Sequence, residues 1–296
     1  MTEDFNSLSA LAKEAESKNT TISKITTEIE CTNLKKTEEE LRLNMKKNLS
    51  VMEKSIESGL LETASPSGLS GGMSKKLADY ESPLLGNIAH TATIYALAVA
   101  EHNACMGRIV ASPTAGSCGI LPGALFALKK HLNITEEKLI DALINASAVG
   151  MVIAKRATLS GAEGGCMAEC GSAGAMAASA VCEIMGGTPR MCLHAAAIAL
   201  KAVMGLVCDP VAGLVEVPCI KRNGIGAVNA LTAAEMALSG IESAIPADEV
   251  IDAMKTVGSL MPCSLKETAL GGIAITETAK KIEKEFKIKE VPYEEI

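Results

Sequence analysis

The chain has no Trp, three Tyr and three Phe, so aromatics make up only 2% of its 296 residues. Yet 48% of the residues are hydrophobic. A core of that size must be built from Ala, Val, Ile, Leu, Met and Gly. Small side chains let helix backbones approach closely, which points to tightly packed helices. Negative charge outweighs positive, with 35 Asp and Glu against 28 Lys and Arg. The formal net charge is −7, and no basic patch with interleaved aromatics is present, which argues against a nucleic-acid-binding role. The opening Met1-Thr-Glu-Asp-Phe5 lacks a basic stretch followed by an apolar one. A secretory signal is therefore not expected, and a cytoplasmic location is. A mean hydropathy of +0.25 makes a membrane span worth testing. The most apolar stretch, Met191 to Cys208, is interrupted by His194 and Lys201. It reads as buried helix rather than as a span.

No sustained alternation of β-branched and aromatic residues occurs, and no repeat of 20–50 residues is visible. The expected class is all-α, a compact helical domain rich in Ala and Gly with short loops. Residues 1–63 form a charged helical N-terminal segment, with amphipathic helices over Leu8–Lys18 and Glu28–Ser50. The Ser- and Gly-rich turn that starts at Ser65 introduces a second unit, residues 64–296. Helices are expected there at Leu84–Gly107, Pro122–His131, Glu136–Ala154, Cys166–Met185, Pro189–Val207, Ile225–Leu238, Ala247–Leu260 and Thr276–Lys287. Thr135 followed by Glu136 and Glu137, and Thr188 before Pro189, carry the signatures of helix starts. Val211–Val217 is the one short strand candidate.

Ten cysteines without a secretory signal do not suggest a disulfide framework. Cys31, Cys105, Cys182 and Cys192 read as core thiols. Cys166, Cys208 and Cys219 differ, because each sits at a junction marked by Gly or Pro. Where such a junction opens a helix, free backbone N–H groups and the helix dipole favour the thiolate. Their spacing matches neither the compact ferredoxin run nor paired zinc-binding arms. From the residues alone, a three-thiolate metal site and three buried thiols both remain open.

Four phrases stand in order: Ser112-Pro-Thr-Ala-Gly-Ser117, Ser160-Gly-Ala-Glu-Gly-Gly-Cys166, Gly205-Leu-Val-Cys-Asp-Pro-Val-Ala-Gly213 and Val217-Pro-Cys-Ile-Lys-Arg-Asn223. Together they resemble the α subunit of the iron–sulfur-dependent L-serine dehydratases, over residues from about Ser70 to Ala274. The resemblance implies a mostly helical catalytic unit of that α type over 64–296. It also implies a 4Fe–4S cluster on Cys166, Cys208 and Cys219, independence from pyridoxal phosphate, and conversion of L-serine to pyruvate and ammonia. Three protein ligands would leave one iron open as a Lewis acid. Single-chain members carry a Ser-Ser-His-Thr phrase in a β domain, and some end in cysteine. Neither feature occurs here, so the resemblance implies a separate β subunit as partner.

Substrate contacts are expected from Ser112, Thr114, Gly116 and Ser117, whose hydroxyls and N–H groups suit a carboxylate. Lys155, beside Arg156, is a further candidate, and Ser70, Gly71 and Gly72 form a possible second substrate loop. Glu163 and Glu169 flank Cys166 and are candidates for ordering the loop or meeting an ammonium group. The four histidines, His90, His102, His131 and His194, offer no assignable general base. Two other readings stand beside the dehydratase. One is a related cluster lyase acting on L-cysteine. The other is a non-catalytic iron–sulfur sensor or helical scaffold, in which Cys118 or Cys170 would be a fourth ligand.

Overall fold

The computed structural model describes residues 6–61, 64–81 and 84–289, with side chains described as far as residue 285. The expected boundary between residues 63 and 64 abuts residues 62 and 63, which lie outside the described set, as does the polar tail from residue 290. Among the described residues the fold is all-α: thirteen α-helices and no strand. None of these helices is long and apolar enough to cross a membrane.

Three helices come from the charge-rich beginning, α1 (Leu8–Ser17), α2 (Ile22–Leu34) and α3 (Glu38–Gly59). Their apolar stripes are buried at Leu8, Leu11, Ile22, Ile25, Leu49 and Ile56, and these residues join one core that continues to Met254. The expected single helix over Glu28–Ser50 is in fact split. Lys35 takes a left-handed φ of 52°. Thr37 then restarts the chain with a capping box, its hydroxyl accepting from the Glu40 N–H while the Glu40 carboxylate accepts from the Thr37 N–H.

After the short α4 (Met73–Ala78) come α5 (Asn87–Ala104), α6 (Ile120–Leu132), α7 (Glu136–Arg156) and the one-turn α8 (Gly161–Gly164). Next are α9 (Ser172–Ile184), α10 (Pro189–Lys201), α11 (Cys219–Leu238), α12 (Ala247–Leu260) and α13 (Glu277–Lys289). Helix α9 is the axis of the molecule, with α6, α7, α10 and α11 packed around it. Every residue of α9 except Glu183 is buried. Its Ser, Ala and Gly side chains let four neighbours in at once, which larger residues would forbid. Elsewhere glycine makes the close approaches. A Cβ at Gly59 on α3 would lie 1.9 Å from the Ala98 carbonyl oxygen on α5. One at Gly123 on α6 would lie 2.8 Å from the Ala92 carbonyl oxygen.

Three further boundaries differ from expectation around the cysteines. Helix α10 stops at Lys201 rather than Val207, because turns carry the chain out through Gly205 at φ 85°. Helix α11 starts at Cys219, not Ile225, since Pro218 occupies its N-cap and the helix runs on through Gly224 and Gly226. The strand expected over Val211–Val217 is a 3-10 turn at Val211–Gly213, with Ala212 at φ 55°. The only strand-like pairing among the described residues is a single bridge between Cys208 and Lys266.

Candidate active site

The three cysteines are delivered by different elements. Cys166 follows Gly165, whose φ of 70° and close neighbours require glycine: a Cβ there would lie 2.8 Å from Met261 Sδ. Cys166 then caps a π-helical turn, Met167–Gly171, that runs directly into α9. Such turns widen the helix and re-aim its side chains. The Met167 N–H donates to the Leu206 carbonyl at 3.0 Å, holding the segment that carries Cys208. Cys208 is fixed from its other side by two backbone bonds. Its N–H donates to Leu265, and its carbonyl accepts from the Glu267 N–H. Cys219 opens α11.

All three thiols are buried. Cys170, one turn beyond Cys166, lies with its Sγ 3.4 Å from Cys166 Sγ. Hydrogen bonds from the Cys170 and Cys208 thiols, together with the neighbouring Arg222 guanidinium, hold Cys166 far below the ordinary thiol range. Donating to Cys166, and burial, push Cys208 up. Burial, followed by the Cys166 charge, pushes Cys219 up to about 12. Cys170 is pushed up as well, first by its hydrogen bond with Cys166 and then by burial.

Arg222 is the cation of this group. Its guanidinium donates to the Val207 carbonyl at 2.8 Å and to the Asp209 carboxylate at 2.9 Å, beside the Cys166 sulfur. Asn223, the next residue, is fully enclosed. Its amide donates to the Gly116 and Cys219 carbonyls, and its oxygen accepts from the Gly119 N–H. One side chain therefore ties the loop of residues 112–119 to Cys219. These two residues fall three and four positions after Cys219, on the same helix face. That spacing is a signal only once the helix is known to begin at Cys219.

The loop of residues 112–119 lies against Glu169. The Thr114 hydroxyl donates to Glu169 Oε1 at 2.8 Å and lies 3.1 Å from the Ser117 hydroxyl. A Cβ at Gly116 would come within 3.2 Å of the same carboxylate. Ser112 is buried, and its hydroxyl has no hydrogen-bond partner. Burial, and then the charges of Cys166 and Glu267, raise the Glu169 carboxyl to about 7, against the lowering effect of Thr114. Ligand atoms of Glu169, Cys208 and Glu267 all lie within 4.8 Å of one another. Gly161 keeps the space between the two carboxylates open, because a Cβ there would come within 2.8 Å of Glu169 and 2.9 Å of Glu267.

Other sequence candidates lie differently. Lys155 is exposed on the last turn of α7, and its neighbour Arg156 is turned to Asp252 and the Asn6 carbonyl. The Ser70 hydroxyl donates to buried Glu216, and the N–H groups that follow Gly72, those of Met73 and Ser74, donate to Glu101. His131 meets Thr91, and His194 Nδ1 accepts from the Ser243 N–H.

The sequence profile of the family described as "Serine dehydratase alpha chain" matches residues 17–274. The chain belongs to the serine dehydratase alpha chain family. It is 52% identical over 254 residues to the "Probable L-serine dehydratase, alpha chain" of Bacillus subtilis, covering 85% of each chain. It is 43% identical over 263 residues to the "L-serine dehydratase, alpha chain" of Peptoniphilus asaccharolyticus, covering 88% of this chain and 90% of that one. With the "L-serine dehydratase" of Streptomyces coelicolor it shares 46% identity over 185 residues, which is 62% of this chain but 41% of that longer protein. The thiol group, Arg222, Asn223 and the loop of residues 112–119 all fall inside the span matched to the serine dehydratase alpha chains. The donor set fits an iron–sulfur cluster: soft cysteine sulfurs, buried together, with a cation alongside.

Proposed function

We propose that this chain is the cluster-bearing subunit of an L-serine ammonia-lyase, independent of pyridoxal phosphate, that acts in the cytoplasm with a separate β subunit. The observation that carries the reading is the meeting of the Cys166 and Cys208 thiols beside Arg222 and Glu169. Cys166, Cys208 and Cys219 would hold a 4Fe–4S cluster. When bound, such a cluster with three protein ligands supplies an open iron, a Lewis acid that makes the serine hydroxyl a better leaving group.

The chain's own groups would supply the rest. Arg222 offsets the negative charge gathered on the thiolates. Ser112, with its unpartnered hydroxyl, is the donor that the loop of residues 112–119 can offer to the substrate carboxylate. The Thr114 hydroxyl is engaged by Glu169 and fixes which carboxylate oxygen stays available. The other oxygen faces the space above Gly161 and suits the substrate ammonium group. Serine loses its α-proton and its hydroxide to give an aminoacrylate. The imine tautomer of that product takes up water and releases pyruvate and ammonia.

The test is anaerobic reconstitution with iron, sulfide and the β subunit, followed by turnover of serine, threonine and cysteine. Serine should be the preferred substrate, and Cys208→Ala should lose both the visible cluster absorbance and the activity. Full activity in Cys208→Ala, or a preference for cysteine with sulfide release, would overturn the reading.

A further inference from the structure

Three residues before Cys219, the chain buries a carboxylate that forms no ion pair among the described residues. Glu216 is 5% exposed, and all its side-chain partners are serine hydroxyls. Ser65 and Ser67 donate to its two oxygens at 2.6 Å each, and Ser70 donates as well. The serines belong to a loop closed on itself, in which the Ser65 N–H donates to the Ser70 carbonyl at 2.8 Å. The far end of this loop is held by a second buried carboxylate, Glu101, which accepts the N–H groups of Met73 and Ser74 at 2.7 and 2.9 Å. A buried carboxylate is costly unless its lone pairs are filled. Glu216 and the serine loop therefore hold each other in place.

The consequence falls on Cys219. The Glu216 backbone carbonyl accepts the Ile220 N–H at 3.1 Å, and the Val217 carbonyl accepts the Val211 N–H at 2.9 Å. The short link from Glu216 to Cys219 is thus tied at its backbone, with the Glu216 side chain anchoring its beginning. We infer that Glu216 is a positioning residue: through Ser65, Ser67 and Ser70 it clamps the segment that presents Cys219 for metal. The inference rests on Cys219 being a cluster ligand, as proposed above. It gives the serine loop a role in cluster retention in place of substrate contact.

The experiment has one arm that needs no cluster. In the metal-free, reduced chain, alkylation of Cys219 is timed by mass spectrometry of the peptide, with buried Cys182 as internal reference. Glu216→Ala should speed Cys219 alkylation at least tenfold while leaving Cys182 and the helical circular dichroism unchanged. Glu101→Gln, which loosens only the far end of the loop, should leave Cys219 at the parent rate. In the second arm, reconstituted protein is challenged with an iron chelator, and Glu216→Ala should release iron at least tenfold faster. Should Glu216→Ala fail to fold, Ser67→Ala with Ser70→Ala replaces it, with the same expected direction in both arms.

An unchanged Cys219 rate, or one that rises in step with Cys182, would overturn the inference. So would unchanged iron release. If the parent chain takes up no iron at all, the proposed function fails, while the alkylation arm still decides whether Glu216 positions Cys219.

Discussion

Replacing Arg222 with Met should be among the most damaging single changes in the metal-free chain. The guanidinium is 17% exposed, and its partner Asp209 is 4% exposed. Met keeps most of the volume but leaves Asp209 with only the Ile273 N–H, at 2.9 Å. It also leaves the Val207 carbonyl and the Cys166 sulfur without the guanidinium. Breaking a buried ion pair from one side costs about 3–5 kcal/mol. For a chain of this size that is a fall of roughly 5–8 °C in Tm. The assay is thermal unfolding of metal-free protein in reductant, read by circular dichroism. The double variant Arg222→Met, Asp209→Asn removes the orphaned charge and should recover at least half of the loss. That coupling separates an ion-pair effect from a packing effect. A loss below about 1 kcal/mol, or strict additivity of the two changes, would refute the reasoning.

Two further outcomes follow from the packing and capping. Gly59→Ala should destabilise the chain by about 1–3 kcal/mol, because its Cβ meets the Ala98 carbonyl oxygen and α3 must move off α5. Gly86→Ala, where a Cβ meets nothing within 4 Å, should stay within about 0.5 kcal/mol, both variants being read by denaturant titration. Asp248 caps α1 from a distance, accepting from the Leu8 N–H, the Ser9 N–H and the Ser7 hydroxyl. Burial, the largest single influence, pushes its carboxyl up, but the bonds from Ser9, Leu8 and Ser7 together bring it below the ordinary 3.8. Because the folded value is depressed, the stabilisation is present above about pH 4 and is lost as pH falls through the folded value. Asp248→Asn should flatten that acid limb, and amide exchange in α1 should quicken even at neutral pH.

Much of the fold was legible because small residues leave few alternatives to close helix packing. The starts of α7 and α10 announced themselves through Thr135 and Thr188, whose hydroxyls cap the helices as their sequence signatures imply. Boundaries failed where a single residue adopts a conformation its type does not advertise. Lys35 at φ 52° broke an amphipathic run that reads as continuous, and Ala212 at φ 55° turned a strand pattern into a 3-10 turn. The site shows the same division. Cys166 and Cys208 stood out by their Gly and Pro neighbours. Arg222 and Asn223 were inside a quoted phrase but acquire meaning only once α11 is known to begin at Cys219. Glu216 and Glu267 could not be singled out, because their partners are distant in sequence: the serine loop for one, and Cys208 and Glu169 for the other.

On the proposed reading, these thiols hold a cluster that meets the substrate directly. That reading is tested most plainly by titrating L-serine anaerobically into reconstituted protein, with iron and sulfide assayed on the same sample. The account predicts about four irons and four sulfides per chain, and a saturable spectral change on adding serine that Cys208→Ala abolishes. A chain that binds no iron, or a cluster whose spectrum ignores serine with the β subunit present, would contradict it.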